Sequence, residues 1–207
     1  MNMSAKNIPY KSIIMRCDCV NENAFVDVVE RFSLVKYHSK MKPVWVELQK
    51  AAGQFDGYSD DDIEEYFEKT FLFEDSGICE SCIFLKDNIE EKYIGTCCAW
   101  FSYKEKRIIP VLHWLAVVPS YRNRGCARML ITEVLKVFKQ KYENQAIYLH
   151  TQPSSFQAIK LYNDFGFNIA MEDSYGCAVN EYIDAMKILE RVMNFDAYMR
   201  LKKSVVK

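Results

Sequence analysis

The chain holds few of the residues that interrupt a fold. Glycine (7) and proline (5) are scarce in 207 residues, which excludes collagen-like and linker-rich sequences and leaves little material for long loops. No repeat is visible and no Gly/Ser/Pro-rich stretch divides the chain. A single domain over residues 1–207 is therefore expected, with a core at about 32–172 and a C-terminal helical extension over 173–207. Long apolar runs are also missing: the longest, Val111 to Val118, is interrupted by His113 and is far too short to span a bilayer. Met1 to Asn7 lack the charged start, apolar stretch and small-residue cleavage site of a secretory signal, so a cytoplasmic protein with reduced thiols is expected. Charge of one sign is lacking too. Lys+Arg 27 against Asp+Glu 28 gives a net charge of −1, and no bulk field draws such a chain to nucleic acid or anionic membrane. Neither is expected as a partner, and any phosphate-binding surface must be local.

What is abundant is apolar and aromatic. Half the residues are hydrophobic and 14% aromatic, so the chain can bury a large core and disorder is excluded. There are eight cysteines, including Cys17-x-Cys19, Cys79-x-x-Cys82 and the adjacent Cys97-Cys98. Four thiolates at the first two spacings can form a zinc tetrahedron. The competing reading is free thiol in a reducing compartment, since the first pair ends an apolar run and no histidine lies near either pair. No metal is expected.

The pattern along the chain is mixed α/β. Lys11 to Arg16 and Phe32 to Tyr37 read as strands. Pro43 to Ala52 reads as a helix ended by Gly53, and Ser59 or Asp60 caps a second helix with an acidic first turn. Cys82 to Leu85, Tyr93 to Tyr103 and Ile108 to Val118 form an antiparallel meander with polar turns between. Arg124 to Tyr142 carries the i, i+3, i+4, i+7 stripe of an amphipathic helix. Ala146 to Thr151 is a strand, Ser154-x-x-Gln157 resembles a capping box opening a further helix to Gly166, and Phe167 to Met171 is a last strand. Glu181 to Met193 and Phe195 to Lys203 have helical spacing.

The junction after the third meander strand is the most informative stretch: Leu115-Ala116-Val117-Val118-Pro119-Ser120-Tyr121-Arg122-Asn123-Arg124-Gly125-Cys126-Ala127-Arg128. Pro119 stops the strand, and a turn carrying arginines leads into a helix. Gly125 and Ala127 let a ligand approach the backbone amides of the helix start, while Arg122, Arg124 and Arg128 add local positive charge. One reading is an anion site suited to a pyrophosphate. The other is a solvated surface turn whose small residues serve helix–sheet packing. The loop is neither a Walker A loop nor a dinucleotide-binding fingerprint, because their spacings are absent.

The string Arg122-x-x-Gly125-x-Ala127 after Leu115-Ala116-Val117, followed by Ala158-Ile159-Lys160-Leu161-Tyr162 and Phe165-Gly166-Phe167, resembles the GNAT superfamily of acyl-CoA-dependent N-acetyltransferases. The two blocks span about residues 108 to 170. The resemblance implies an α/β fold of the GNAT acyl-CoA N-acyltransferase type, with acetyl-CoA as cosubstrate, a primary amine as acceptor, direct attack in a ternary complex, no metal, and a monomer or homodimer. A small-molecule acceptor is favoured over a protein. A GNAT-like module that binds acyl-CoA without turnover is the alternative.

It also implies roles by residue. Leu115, Ala116 and Val117 would lie beside the pantetheine arm, and a backbone N–H near Leu115 would donate to the oxyanion. The amides of Asn123, Arg124, Gly125, Cys126, Ala127 and Arg128 would hold the pyrophosphate, with Arg122 shaping the loop or reaching phosphate. Ser155 stands where the family usually has Asn, so its hydroxyl would bond the pantetheine or cap the helix. Tyr162 occupies the general-acid position, whereas its helical spacing from Ala158, taken without the resemblance, suits a core aromatic. His113, in a Leu-His-x-Leu-Ala-Val context, is the candidate base, acting through water, or a hydrogen-bonded core histidine. Regular alternation would put Val111, His113, Leu115 and Val117 on one face. His150 is a weaker second base. The acceptor wall would be Val44 to Phe73, with Trp45, Phe55, Tyr58, Tyr66 and the carboxylates of Asp60 to Glu65. The family often ends in a strand paired with its predecessor; here that strand is unassigned, either replaced or supplied by a partner chain.

Overall fold

A computed structural model describes residues 8–73, 76–143, 145–176 and 178–206. Its elements in chain order are β1 (Ile13–Cys17), β2 (Phe32–Lys36), α1 (Lys42–Ala52), α2 (Asp60–Phe71), α3 (Ile78–Ser81), β3 (Cys82–Asp87), β4 (Lys92–Lys104), β5 (Arg107–Val117), α4 (Cys126–Lys141), β6 (Ile147–Thr151), α5 (Phe156–Asp164), β7 (Asn168–Ile169), α6 (Tyr182–Val192) and α7 (Phe195–Lys203). The fold is mixed α/β, as the sequence pattern implies. The described residues divide into two compact units, one of residues 25–100 and 112–141, the other of 8–24, 101–111 and 142–206.

In the first unit the strand order is β2-β3-β4-β5. The pairing of β2 with β3 and of β3 with β4 is antiparallel, with a register shift at Leu85/Lys86. Local chemistry explains its helices. α1 has proline in its first turn and ends on left-handed Gly53. α2 starts with a full capping box, in which the Ser59 hydroxyl accepts from Asp62 N while the Asp62 carboxylate accepts from Ser59 N. α4 buries Leu130, Ile131, Val134, Leu135 and Phe138 along one stripe. The core around α1 and α2 is aromatic: Trp45 and Phe67 have ring centroids 4.9 Å apart, and Phe71 lies 4.8 Å from Trp100 of β4.

In the second unit the order is β5-β6-β1-β7. β5 joins β6 in parallel at Val111↔Tyr148, and β1 runs antiparallel to both β6 and β7. The strand left unassigned by the resemblance is thus supplied by the N-terminus of the same chain: β1 lies between β6 and β7, in register from Ile13↔Thr151 to Cys17↔Ile147. The last strand is shorter than the apolar run Phe167 to Met171 suggests. Asn168 and Ile169 pair with β1 and Ala170 N still donates to Ile14 O at 3.0 Å, while Ala170 bridges Val206 on its other side. The capping box at Ser154 does not form. Pro153–Ser155 make a 3-10 turn, with Ser155 N donating to Gln152 O at 2.9 Å, and α5 begins only at Phe156.

No described helix is long and apolar enough to cross a membrane. Among the described residues no group of three His, Cys, Asp or Glu side chains is placed to hold a metal ion. Cys17, Cys82, Cys97, Cys98 and Cys126 are buried free thiols and Cys19 and Cys79 exposed ones; the eighth, Cys177, lies outside the described residues.

Candidate cofactor and catalytic site

The first unit brings together the end of β5, the turn after it and the start of α4. Val118 N still donates to Ile94 O of β4 at 3.0 Å, one residue beyond the strand. Pro119–Tyr121 then form a 3-10 turn, and Asn123 and Gly125 take positive φ of 60° and 78°. These two left-handed residues delay α4 to Cys126, two positions later than the apolar spacing suggests. Gly125 O accepts from Met129 N at 3.1 Å as the helix's opening bond.

The start of α4 has the character of an anion site. Its first turn holds no acidic side chain, and Gly125 before it has no side chain to cap it. Helix-start amides have no acceptor within their own helix, and the dipole's positive end is there. A Cβ placed on Gly125 would meet nothing within 4 Å, so the backbone is open to approach. A pyrophosphate group fits this donor set.

Arg122 braces the loop. Its Nε donates to Val117 O at 3.4 Å and its Nη2 to Ala52 O at 3.1 Å, which joins the end of β5 to the end of α1. The Arg124 guanidinium lies 5.2 Å from the ring centroid of Tyr121, which also has Lys92 at 5.4 Å and Arg31 at 5.9 Å. Tyr121 is buried, and its hydroxyl donates to Asp87 Oδ2 at 2.6 Å. The same oxygen accepts from Arg31 Nη2 at 2.6 Å, while Oδ1 accepts from the amides of Ile89 and Glu90. Arg31 first, then the Tyr121 hydroxyl and these amides, hold the Asp87 carboxyl well below the usual range against the opposing effect of desolvation. Sequence reasoning missed Asp87, taking Lys86 to Glu91 for a plain polar turn; the available signal was an aspartate placed to bond amides two and three residues on. Cys126 is buried, and burial pushes its thiol up, away from the reactive thiolate form.

β5 does not alternate regularly. Trp114 has φ of 49°, a rare backbone for a bulky residue. Consecutive residues therefore face the same helix: His113 packs 6.1 Å from Phe71 of α2, and Trp114 lies 5.4 Å from Tyr66 of α2. The Trp114 ring stacks on Phe55 at 4.8 Å, its Nε1 donates to Tyr66 Oη at 3.0 Å, and its carbonyl accepts from Gln49 Nε2 at 3.2 Å. Face alternation assumed ordinary β angles, and the left-handed residue breaks it. His113, Trp114 and Leu115 are half-buried, whereas Ala116 and Val117 are buried.

The acidic cluster of α2 is largely committed to structure. Asp62 serves the capping box, Lys42 pairs with Glu64, Lys50 with Asp60 and Lys69 with Glu65. Trp45 is fully buried in the aromatic core.

Ser155 and Tyr162 belong to the second unit. Ser155 precedes α5 and its side chain makes no cap bond, so the capping role is not used. Tyr162 is buried on α5, 6.1 Å from Phe167, and its carbonyl accepts from the amides of Phe165 and Phe167. His150 Nε2 lies 2.8 Å from Ser12 Oγ.

Residues 44–167, more than half of the chain, match the family described as Acetyltransferase (GNAT) family. No curated protein matches the chain. Among solved structures, it is similar to a GCN5-related N-acetyltransferase from Sphaerobacter thermophilus, with 14% identity, TM-score 0.59, 80% of this chain and 49% of that one covered. A GNAT-family acetyltransferase from Colwellia psychrerythraea shares 13% identity at TM-score 0.57, covering 78% and 53% of the two chains. An aminoglycoside N-acetyltransferase, AAC(6')-Iy, solved in complex with CoA, shares 19% identity at TM-score 0.54, covering 75% and 96%. The chain thus spans about half the length of the first two and nearly all of the third.

Proposed function

Because the chain belongs to the GNAT acetyltransferase family, we propose that it is an acetyl-CoA-dependent N-acetyltransferase that acts on a primary amine, with a small molecule favoured as acceptor. The observation that carries the reading is the start of α4 behind Gly125, open to approach and with no acidic side chain in its first turn, with an arginine-braced loop and a strand end beside it in the same unit. Acetyl-CoA supplies an activated acetyl thioester whose pyrophosphate is dianionic.

The amides from Asn123 to Arg128 hold the pyrophosphate by hydrogen bonds and the helix dipole, and Arg122 keeps them in place. The backbone of Leu115, Ala116 and Val117 aligns the pantetheine arm in the manner of an added strand. The Ser155 hydroxyl gives that arm a further bond. Leu115 N–H donates to the thioester oxygen as negative charge develops there. His113 accepts the amine proton through water, and the Tyr162 hydroxyl protonates the departing thiolate. No covalent acyl-enzyme is needed.

The test is direct. Purified protein is titrated with acetyl-CoA by calorimetry, then mixed with acetyl-CoA and a panel of primary amines while thiol release is followed. Saturable binding and amine-dependent thiol release are expected. Absence of acetyl-CoA binding overturns the reading; binding without transfer to any amine turns it into a CoA-binding module.

A further inference from the structure

We infer that Gln49 of α1 is a positioning residue that aims the Leu115 N–H, the proposed oxyanion donor, by holding the other end of the same peptide unit. The inference rests on the acetyl-transfer reading and names a residue outside the cofactor loop and strand.

The Trp114 carbonyl and the Leu115 N–H belong to one planar trans peptide, so they point in opposite directions. Gln49 Nε2 donates to that carbonyl at 3.2 Å. Fixing the oxygen on the α1 side fixes the N–H on the other side. The peptide needs such a hold, because Trp114 is left-handed and tends to relax toward ordinary β angles. Other contacts secure Trp114, among them the stacking on Phe55, the edge-on packing against Trp45 and the Nε1 bond to Tyr66, but these grip the indole. Gln49 grips the peptide itself.

The cost of this arrangement points to function. Gln49 is fully buried, and its Oε1 has no hydrogen-bond partner. An amide that leaves its oxygen unpaired in an aromatic core is a poor choice for stability, and an apolar side chain of similar length would avoid the loss. What the amide adds is one donor to one carbonyl, at the kink.

Gln49→Met keeps the length and removes the donor. The expected result is an acetyl-CoA affinity within about twofold of wild type and a kcat about 10²-fold lower. The carbonyl stretch of bound [1-13C]acetyl-CoA, measured by infrared difference spectroscopy, should move back toward its free value. Gln49→Glu provides a second reading. Its carboxyl donates only when protonated, so kcat should fall as pH rises through that titration, a limb that wild type lacks. The inference is overturned if the Met variant binds acetyl-CoA with wild-type kcat and carbonyl frequency, or, should that variant not fold, if the Glu variant has the wild-type pH profile. If wild type itself does not bind acetyl-CoA, the acetyl-transfer reading fails first, and that outcome is distinct from both.

Discussion

The Arg122 guanidinium donates to the carbonyl of Ala52, seventy positions earlier, at 3.1 Å. Ala52 is the last residue of α1, so its carbonyl has no partner within the helix and lies at the dipole's negative end, where a cation is favoured. One arginine thereby completes a helix terminus and stiffens the loop before α4.

Arg122→Ala should loosen that loop and weaken acetyl-CoA binding by about tenfold, corresponding to ~1.4 kcal/mol. The melting temperature should fall by only about 2–4 °C, because the bond to Ala52 is solvent-exposed and the one to Val117, at 3.4 Å, is long. Arg122→Lys should restore little, since an ammonium lacks the fork that reaches two carbonyls. Calorimetric titration and a thermal melt check both statements.

Two glycines should respond differently to alanine. Gly125 has φ of 78° and open space around a Cβ, so Gly125→Ala should cost only the left-handed backbone penalty, about 1–2 kcal/mol, and appear mainly as weaker acetyl-CoA binding. Gly166 has φ of 100°, and a Cβ there would lie 2.5 Å from Cys19 O. Gly166→Ala should add an overpacking penalty of about 1–3 kcal/mol to the same backbone term. Urea unfolding of the two variants side by side measures the gap.

Asp87 gives the fold a defined acid sensitivity. Its carboxyl pKa is lowered in the folded state, chiefly by Arg31. A depressed carboxyl contributes stability above its unfolded pKa, about 3.9, and that contribution is lost as pH falls toward the folded value. Melting temperature should therefore decline below about pH 4 more steeply in wild type than in Asp87→Asn, which cannot titrate. Parallel declines would remove Asp87 from this role.

Tyr162→Phe removes one hydroxyl from a buried ring and leaves the apolar contact with Phe167. The expected outcome is a kcat lower by about 10²-fold with acetyl-CoA affinity kept, as required of a proton donor to the thiolate. Stopped-flow thiol release and calorimetry separate the two quantities. Unchanged turnover would make Tyr162 a packing residue.

Several of these features were legible as letters. Ser59 or Asp60, followed by an acidic first turn, declared the start of α2, and the apolar stripe from Leu130 to Phe138 declared α4. Pro119 and Gly125 bracketed the loop, and the loop block together with Tyr162 and Phe165-Gly166-Phe167 pointed to the family that residues 44–167 match. Ser154 misled, since a capping-box spacing fixes no cap when Pro153 opens with a 3-10 turn instead. The alternation of β5 misled in the same way, because a pleat inferred from polarity cannot register one residue at positive φ.

What the sequence by itself determined was whatever has a local cause: helix periods, caps, turns and the arginine-glycine loop depend on residues a few positions apart. The tertiary structure alone decided which distant groups meet. It placed β1 between β6 and β7, buried Asp87 under Tyr121 and Arg31, and set Gln49 against the Trp114 carbonyl. Strand partnership and peptide orientation are fixed by long-range packing, and no short window of sequence contains both members of such a pair.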